Sequence, residues 1–171
     1  FNAPLNPEDD YAEQVKRHEL VAADPRFIAE RKDLLCGIII THAHEDHLGA
    51  IPFLWQLFRQ PIYTTKFTAE VLRRKLSEFE FGHLVEIIEM RPLDECIIGP
   101  FSVKWLPITH SLPEPCGLVI TTPVGKVFHT GDWKLDSNPI VGEGVNYDYF
   151  KHLATQDIDA MVCDSTNALK H

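Results

Sequence analysis

The chain has 171 residues, of which 44% are hydrophobic and 24% are charged. These proportions are ordinary for a globular protein and exclude a wholly disordered chain. The net charge of −9 argues against a protein that coats nucleic acid through a broad basic surface. No apolar run approaches the ~20 residues that cross a bilayer, and residues 1–10 lack the features of a signal peptide.

The four cysteines are far apart in the sequence and form no metal-binding or redox pair. They favour a cytoplasmic protein with reduced thiols, and the absence of a long apolar run favours a protein without membrane association. Because the chain begins with Phe1 rather than Met, we expect that part of the natural protein is missing. Residues 1–23 form a polar segment of uncertain structure, and we expect residues 24–171 to form one domain.

The first half of this domain alternates between predicted helices and strands. A helix is expected near Asp24, which is suited to cap it, with Pro25 at its first position. Phe27 and Ile28 begin its apolar stripe. β-Branched apolar runs predict buried strands, and apolar residues spaced by three or four predict helices. The remaining elements are a strand over 36–41, a helix over 48–58, a strand over 61–65 and a helix over 66–79.

The second half is dominated by predicted strands. Apolar runs within 84–108 predict three strands, and two more are expected to pair around a Pro-Val-Gly turn. A helix over 147–156 and a buried strand over 159–164 follow. This order indicates a layered α/β domain in which polar loops after the strands meet at one rim. The polar loops lie at 42–47, 109–111 and 131–134.

The first of these loops concentrates residues that bind metal ions. The segment from Thr41 to His47 reads THAHEDH and holds three of the nine histidines. His42 and His44 are two apart on an extended segment, so both imidazoles leave the same side and can bind one metal. Asp46 and His47 lie where a helix begins, which directs them toward a second metal. Imidazole and carboxylate ligands favour zinc, with manganese as the alternative.

Two residues in later loops complete the predicted site. His110 follows a strand and can join the first metal, although alone it would be interpreted as a loop residue. Asp132 follows Gly131, where the backbone can turn sharply. Its two carboxylate oxygens can bridge cations ~3.5–4 Å apart, although alone it would suit a turn or a helix cap. Nearby His129 is expected either to support the site or to lie in the core.

The motifs HAHEDH, PITHS and HTGDWK, in this order after strands, resemble those of the metallo-β-lactamase superfamily. Longer runs narrow the resemblance to the ribonuclease J family in its β-CASP branch. These runs are ITHAHEDHLGAIPFLW, GLVITTPVGKVFHTGDWKLD and MVCDSTNA. The resemblance covers residues 24–169 and implies a four-layered αββα sandwich. It also implies that the core is incomplete, because DSTN leads into the inserted β-CASP domain of the family.

The resemblance assigns a role to each residue of the predicted site. It implies one zinc bound by three histidines, a second zinc bound by Asp46 and His47, and Asp132 as the bridge. The three histidines are His42, His44 and His110. Asp164 matches an acidic residue that orients a histidine supplied later in the family. Two later histidines of the family lie beyond this sequence, so the chain is a fragment of the enzyme it resembles.

A zinc-dependent ribonuclease is the function that this resemblance implies. A hydroxide held between two metals would attack a phosphodiester of RNA, and Asp46, Asp132 and Asp164 are the catalytic candidates. Lys134 and Ser111 are the candidate substrate contacts. The alternatives are a thioester or lactam hydrolase with the same ligands, and an inactive metal-binding fragment. Exonuclease or endonuclease action is left open, as is a homo-oligomer of the full-length protein.

Overall fold

A computed structural model describes residues 22–166 and 168–169 of the chain. The predicted polar segment over 1–23 therefore lies almost wholly outside the described residues. Within the described ranges, no helix has both the length and the apolar character needed to span a bilayer.

Three parallel strands and their connecting helices form the first half of the fold. The strands lie in the order β1-β2-β3, and each pair is parallel. Parallel neighbours need crossover connections, which the helices between the strands provide. The strands are β1 (Ile38–Ile40), β2 (Ile62–Thr65) and β3 (Ile87–Met90), and the helices are α1 (Arg26–Ala29), α2 (Glu45–Leu48), α3 (Ile51–Phe58) and α4 (Lys66–Leu76). Short 3-10 turns lie at Lys32–Leu34 and Gly82–Leu84.

Five strands and one helix form the second half. The strands follow one another in the sheet from β4 to β8. Strands β4 to β7 pair antiparallel, and β8 pairs parallel with β7 after the crossover through α5. The strands are β4 (Glu95–Ile98), β5 (Phe101–Pro107), β6 (Cys116–Thr122), β7 (Gly125–His129) and β8 (Ala160–Val162), and α5 is Tyr147–Ala154.

Alternate side chains of the strands face different layers, as the two-residue period of a strand requires. In β1, Ile39 packs into the cluster between the two sheets, whereas Ile40 packs with α3 and α4. In β5, the fully buried Trp105 lies between the sheets, whereas Leu106 packs with Leu153 of α5. The layers are therefore helices, parallel sheet, mixed sheet and helix. The predicted αββα sandwich is confirmed.

Most predicted elements are present, but two predictions about burial are wrong. The strand within 159–164 exists as β8, yet Met161 and Val162 are 50% and 51% exposed. The cause is position, because β8 is the outermost strand of the sheet among the described residues. Helix α1 has four residues, and Phe27 is 65% exposed, so no buried stripe forms. Asp24 does accept a hydrogen bond from the Arg26 backbone N–H, over 3.0 Å.

Candidate metal centre

The loops that carry the predicted site residues meet because the strands before them end at the same edge. β5 and β7 both pair antiparallel with β6, and β8 is parallel to β7, so all three run in one direction. Thr109 after β5 and Lys134 after β7 form an isolated bridge. The Lys134 N–H donates to the Thr109 carbonyl over 2.7 Å, and the Thr109 hydroxyl donates to the Lys134 carbonyl over 2.5 Å. This bridge fixes the loop of His110 beside the loop of Asp132.

Thr41, directly after β1, connects the first sheet to the second at this edge. Its carbonyl oxygen accepts hydrogen bonds from the Cys116 backbone N–H and from the Cys116 thiol, each over 3.1 Å. Gly131 packs against the same two residues. A Cβ on Gly131 would lie 2.9 Å from the Cys116 carbonyl oxygen and 3.3 Å from the Thr41 Cβ. Since Gly131 also has φ +59°, this turn requires glycine, and it brings Asp132 to the loop after β1.

The first group of the candidate centre joins three histidines and one carboxylate: His42, His44, His110 and Asp132. The Nδ1 atom of His44 lies 3.2 Å from Nε2 of His42 and 3.1 Å from Nε2 of His110. Oδ2 of Asp132 lies 3.8 Å from Nε2 of His42 and 3.9 Å from Nε2 of His110. All four potential ligand atoms lie within 4.8 Å of one another. A single ion can therefore contact all four residues after small side-chain adjustments.

The second group consists of Asp46, His47 and Asp132. Nε2 of His47 lies 3.3 Å from Oδ1 of Asp132 and 3.7 Å from Oδ2 of Asp46. Asp132 thus presents Oδ1 to the second group and Oδ2 to the first. The two groups differ in exposure, because the Asp46 side chain is 78% exposed whereas His42 is 1% exposed. The second group therefore lies at the open rim of the site.

Burial favours the neutral form of two histidines of the first group, His42 and His110. Burial, reinforced by the neighbouring His47, lowers the pKa of His42 from 6.5 to about 4. Burial also lowers the pKa of His110, and the nearby His44 acts in the same direction. A neutral imidazole has one nitrogen with a free lone pair, which is the atom that binds a metal. Neutral imidazoles whose nitrogens face one another are therefore suited to bind a metal ion.

The chemistry of the donor set fits divalent metal ions. Imidazole nitrogens and carboxylate oxygens are common zinc ligands, and manganese accepts carboxylate-rich sets. A carboxylate that reaches two groups through its two oxygens is the arrangement found where two ions lie ~3.5–4 Å apart. The described residues therefore hold a His/Asp cluster that can bind metal ions, and Asp132 belongs to both halves of it.

Three other predicted residues lie around these groups. Asp164 belongs to neither group: its carboxylate accepts hydrogen bonds from the hydroxyl and the backbone N–H of Thr166, at 2.6 and 2.9 Å, and both lower its pKa. Its charge nevertheless acts on His110. The Ser111 hydroxyl lies 3.2 Å from Nε2 of His44, on the far side of that ring. Lys134 is exposed, and its charge contributes to the lowered pKa of His110.

Two further residues, His129 and Thr41, make hydrogen bonds beside the residues of the centre. Nδ1 of His129 accepts a hydrogen bond from the Gly131 N–H over 3.0 Å, so His129 stabilises the turn before Asp132. This agrees with one of the two positions expected for His129. Thr41 was not predicted as a site residue, yet its hydroxyl lies 3.0 Å from Nδ1 of His42. The sole sequence signal was its place directly before the histidines, and threonine at the end of a strand is common.

Comparison with known families identifies the fold. A model described as "Beta-lactamase superfamily domain" matches residues 6–146. The chain belongs to the beta-lactamase superfamily. The resemblance predicted from the histidine motifs is therefore confirmed at the level of the superfamily, and the αββα layers agree with its metallo-β-lactamase fold. The candidate centre is built at the edge of those layers.

Curated relatives in this superfamily carry a common name. Ribonuclease J from Sinorhizobium meliloti is 43% identical over 152 residues, which are 89% of this chain and 27% of that protein. Ribonuclease J 1 from Streptococcus pyogenes is 36% identical over 162 residues, 95% of this chain and 28% of that protein. The chain thus spans about a quarter of the length of these relatives. Among solved structures, the metallo-beta-lactamase fold protein YhfI from Bacillus subtilis is 23% identical, with 59% and 42% of the two chains covered and a TM-score of 0.48.

Proposed function

We propose that the protein is a metal-dependent ribonuclease that hydrolyses phosphodiester bonds of RNA. The observation that carries this proposal is the pair of His/Asp groups that share Asp132. A second support is the similarity to proteins named ribonuclease J, which extends over 89% of the chain at 43% identity. Fold alone would not suffice, since one fold hosts many activities.

Each residue of the centre has a distinct task in this proposal. His42, His44 and His110 would hold one cation, Asp46 and His47 would hold the other, and the Asp132 carboxylate would serve both sites. Zinc is the proposed metal, with manganese as the alternative. Two bound cations lower the pKa of a water molecule and neutralise charge on a phosphate group.

The residues at the open rim are suited to act on the substrate side. The exposed Asp46 carboxylate can accept a hydrogen bond from the attacking water and orient it toward phosphorus. The Lys134 ammonium group can bind a non-bridging phosphate oxygen, since its charge already acts on nearby His110. Asp164 would orient a histidine supplied by a later part of a longer protein.

RNA cleavage by purified protein tests the proposal directly. The substrate is 5′-monophosphorylated RNA, incubated with zinc or manganese after metal removal. In a protein that also carries the later histidines of the family, we expect cleavage that needs added metal and is lost in Asp132→Ala, and we expect weak or no cleavage by residues 1–171 alone. Release of single nucleotides would indicate an exonuclease, and internal fragments would indicate an endonuclease. Lys134→Ala is expected to raise KM more than it lowers kcat.

Two outcomes with that longer protein would contradict the proposal. Turnover of nitrocefin or a glutathione thioester without RNA cleavage would instead support a lactam or thioester hydrolase. Stoichiometric metal binding with none of these activities would support an inactive metal-binding fragment. Elemental analysis of the same preparation separates the second outcome from a failure to bind metal.

A further inference from the structure

The three histidines of the first group can act together only if each proton is on the correct nitrogen. A neutral imidazole carries one proton, on Nδ1 or on Nε2. The atoms that face one another are Nε2 of His42, Nδ1 of His44 and Nε2 of His110. For all three to offer lone pairs to one cation, the proton must be on Nδ1 in His42 and His110 but on Nε2 in His44. His44 therefore needs the opposite tautomer from its neighbours.

A hydroxyl group lies at the far nitrogen of two of these rings. Nδ1 of His42 is 3.0 Å from the Thr41 hydroxyl, and both residues are buried. Nε2 of His44 is 3.2 Å from the Ser111 hydroxyl. In each case the hydroxyl oxygen is positioned to accept the proton of the tautomer that metal binding requires. The third ring differs, because Nδ1 of His110 is buried without a hydrogen bond to any described residue.

We infer that Thr41 and Ser111 are positioning residues whose hydroxyls stabilise the opposite tautomers of His42 and His44 that metal binding requires, and so strengthen metal binding. The inference rests on the proposed metal centre. It gives Ser111 a different role from the substrate contact expected from the sequence. It also accounts for the loop sequence, since the adjacent residues His110 and Ser111 supply a ligand and the partner of another ligand.

We expect the Thr41 and Ser111 hydroxyls to contribute unequally to metal affinity. Thr41 and His42 are excluded from water, so no solvent molecule can replace the lost acceptor. Ser111 is exposed, and water can take over part of its role. Removal of a hydrogen-bond partner of a metal-binding histidine weakens metal affinity roughly 10- to 100-fold. We therefore expect the larger loss at Thr41 and the smaller loss at Ser111.

Metal affinity of matched variants tests the inference. Thr41→Val keeps the shape and removes the hydroxyl, whereas Thr41→Ser keeps the hydroxyl. Thr64→Val is the control, because the buried Thr64 hydroxyl donates to the Ile40 carbonyl over 2.7 Å and makes no hydrogen bond to a described histidine. Zinc affinity is measured by competition with a chromophoric chelator. We expect weak binding in Thr41→Val, near-normal binding in Thr41→Ser and Thr64→Val, and a smaller loss in Ser111→Ala.

Nitrogen NMR of histidine-labelled, zinc-bound protein reads the tautomers independently of activity. The wild-type protein should show a protonated Nδ1 in His42 and a protonated Nε2 in His44, and the resonance of the protonated Nδ1 of His42 should shift in Thr41→Val but not in Thr64→Val. The inference is overturned if Thr41→Val binds zinc as tightly as wild type. It is also overturned if Ser111→Ala raises the KM for RNA at unchanged zinc affinity. A longer protein with the later histidines that binds zinc but cleaves no RNA would contradict the proposed function and leave the tautomer result standing.

Discussion

The substitution Gly131→Ala should disturb the metal centre more than the same substitution at a glycine whose added Cβ would meet no neighbouring atom. Gly131 lies at φ +59°, and a Cβ there would be 2.9 Å from the carbonyl oxygen of Cys116. It would also lie 3.3 Å from both Cβ and Oγ1 of Thr41. Gly131→Ala therefore places alanine in a left-handed backbone conformation, and its Cβ would overlap the Cys116 carbonyl oxygen. Relief of this overlap would shift the neighbouring Asp132.

The expected magnitude follows from these contacts. A left-handed backbone costs an ordinary residue roughly 1–2 kcal/mol, and a Cβ forced into a packed site costs about 1–3 kcal/mol more. The free energy of unfolding should thus fall by about 2–5 kcal/mol, a large part of the ~5–15 kcal/mol that is typical of a domain. Gly142 provides the matched control, because it has φ +83° and no heavy atom within 4 Å of its would-be Cβ. Gly142→Ala should show the backbone cost alone.

Urea unfolding of metal-free protein measures both variants against wild type, and zinc affinity is measured in parallel. We expect Gly131→Ala to be less stable than Gly142→Ala and to bind zinc more weakly, since the turn before Asp132 must move. Equal stability and equal zinc affinity of the two variants would refute the argument that close packing at Gly131 positions the centre.

Three further predictions follow from the contacts and burial of the site. Asp132→Ala should weaken the binding of both metals whereas Asp46→Ala should weaken the binding of one, as measured by zinc titration; an equal effect of the two substitutions would contradict a shared ligand. In metal-free protein, the pKa of His42 is lowered from 6.5 to about 4 on folding, so between these pH values the unfolded chain binds a proton that the folded chain does not bind. The free energy of unfolding should therefore decrease by about 3 kcal/mol as the pH is lowered from 6.5 to about 4, as measured by urea unfolding, and a flat profile would contradict this expectation. Burial raises the pKa of the Cys116 thiol, so iodoacetamide should modify exposed Cys163 first, and mass spectrometry of native protein checks the order.

Residue patterns predicted the strands, the helices and a layered α/β domain because these depend on local sequence, and the family resemblance implied the αββα order of the layers. A run of β-branched residues such as Ile38–Ile40 is sufficient to predict a strand. Three histidines and an aspartate within six residues are dense enough to predict a metal site. His110 and Asp132 were placed near this cluster because each follows a predicted strand, and the family resemblance supplied their roles as ligands.

Features that depend on distant neighbours were not predictable in the same way. The apolar run of β8 is the same whether or not another strand lies beside it, so its exposure could not be predicted. The hydrogen bond between Thr41 and His42 depends on side-chain rotation rather than on spacing. The position of Ser111 behind His44 depends on a contact between residues 67 positions apart. A residue pattern alone does not report such contacts.

The centre draws its ligands from loops that follow strands of both sheets, with His42 after β1 and Asp132 after β7. An ion held by these residues binds the closed sandwich and not the separated sheets. By mass action, metal at one hundred times its dissociation constant would stabilise the folded chain by about 2.7 kcal/mol. The metal concentration and the folding equilibrium would thereby be linked, so a low metal concentration would lower the fraction of folded protein as well as the occupancy of the centre.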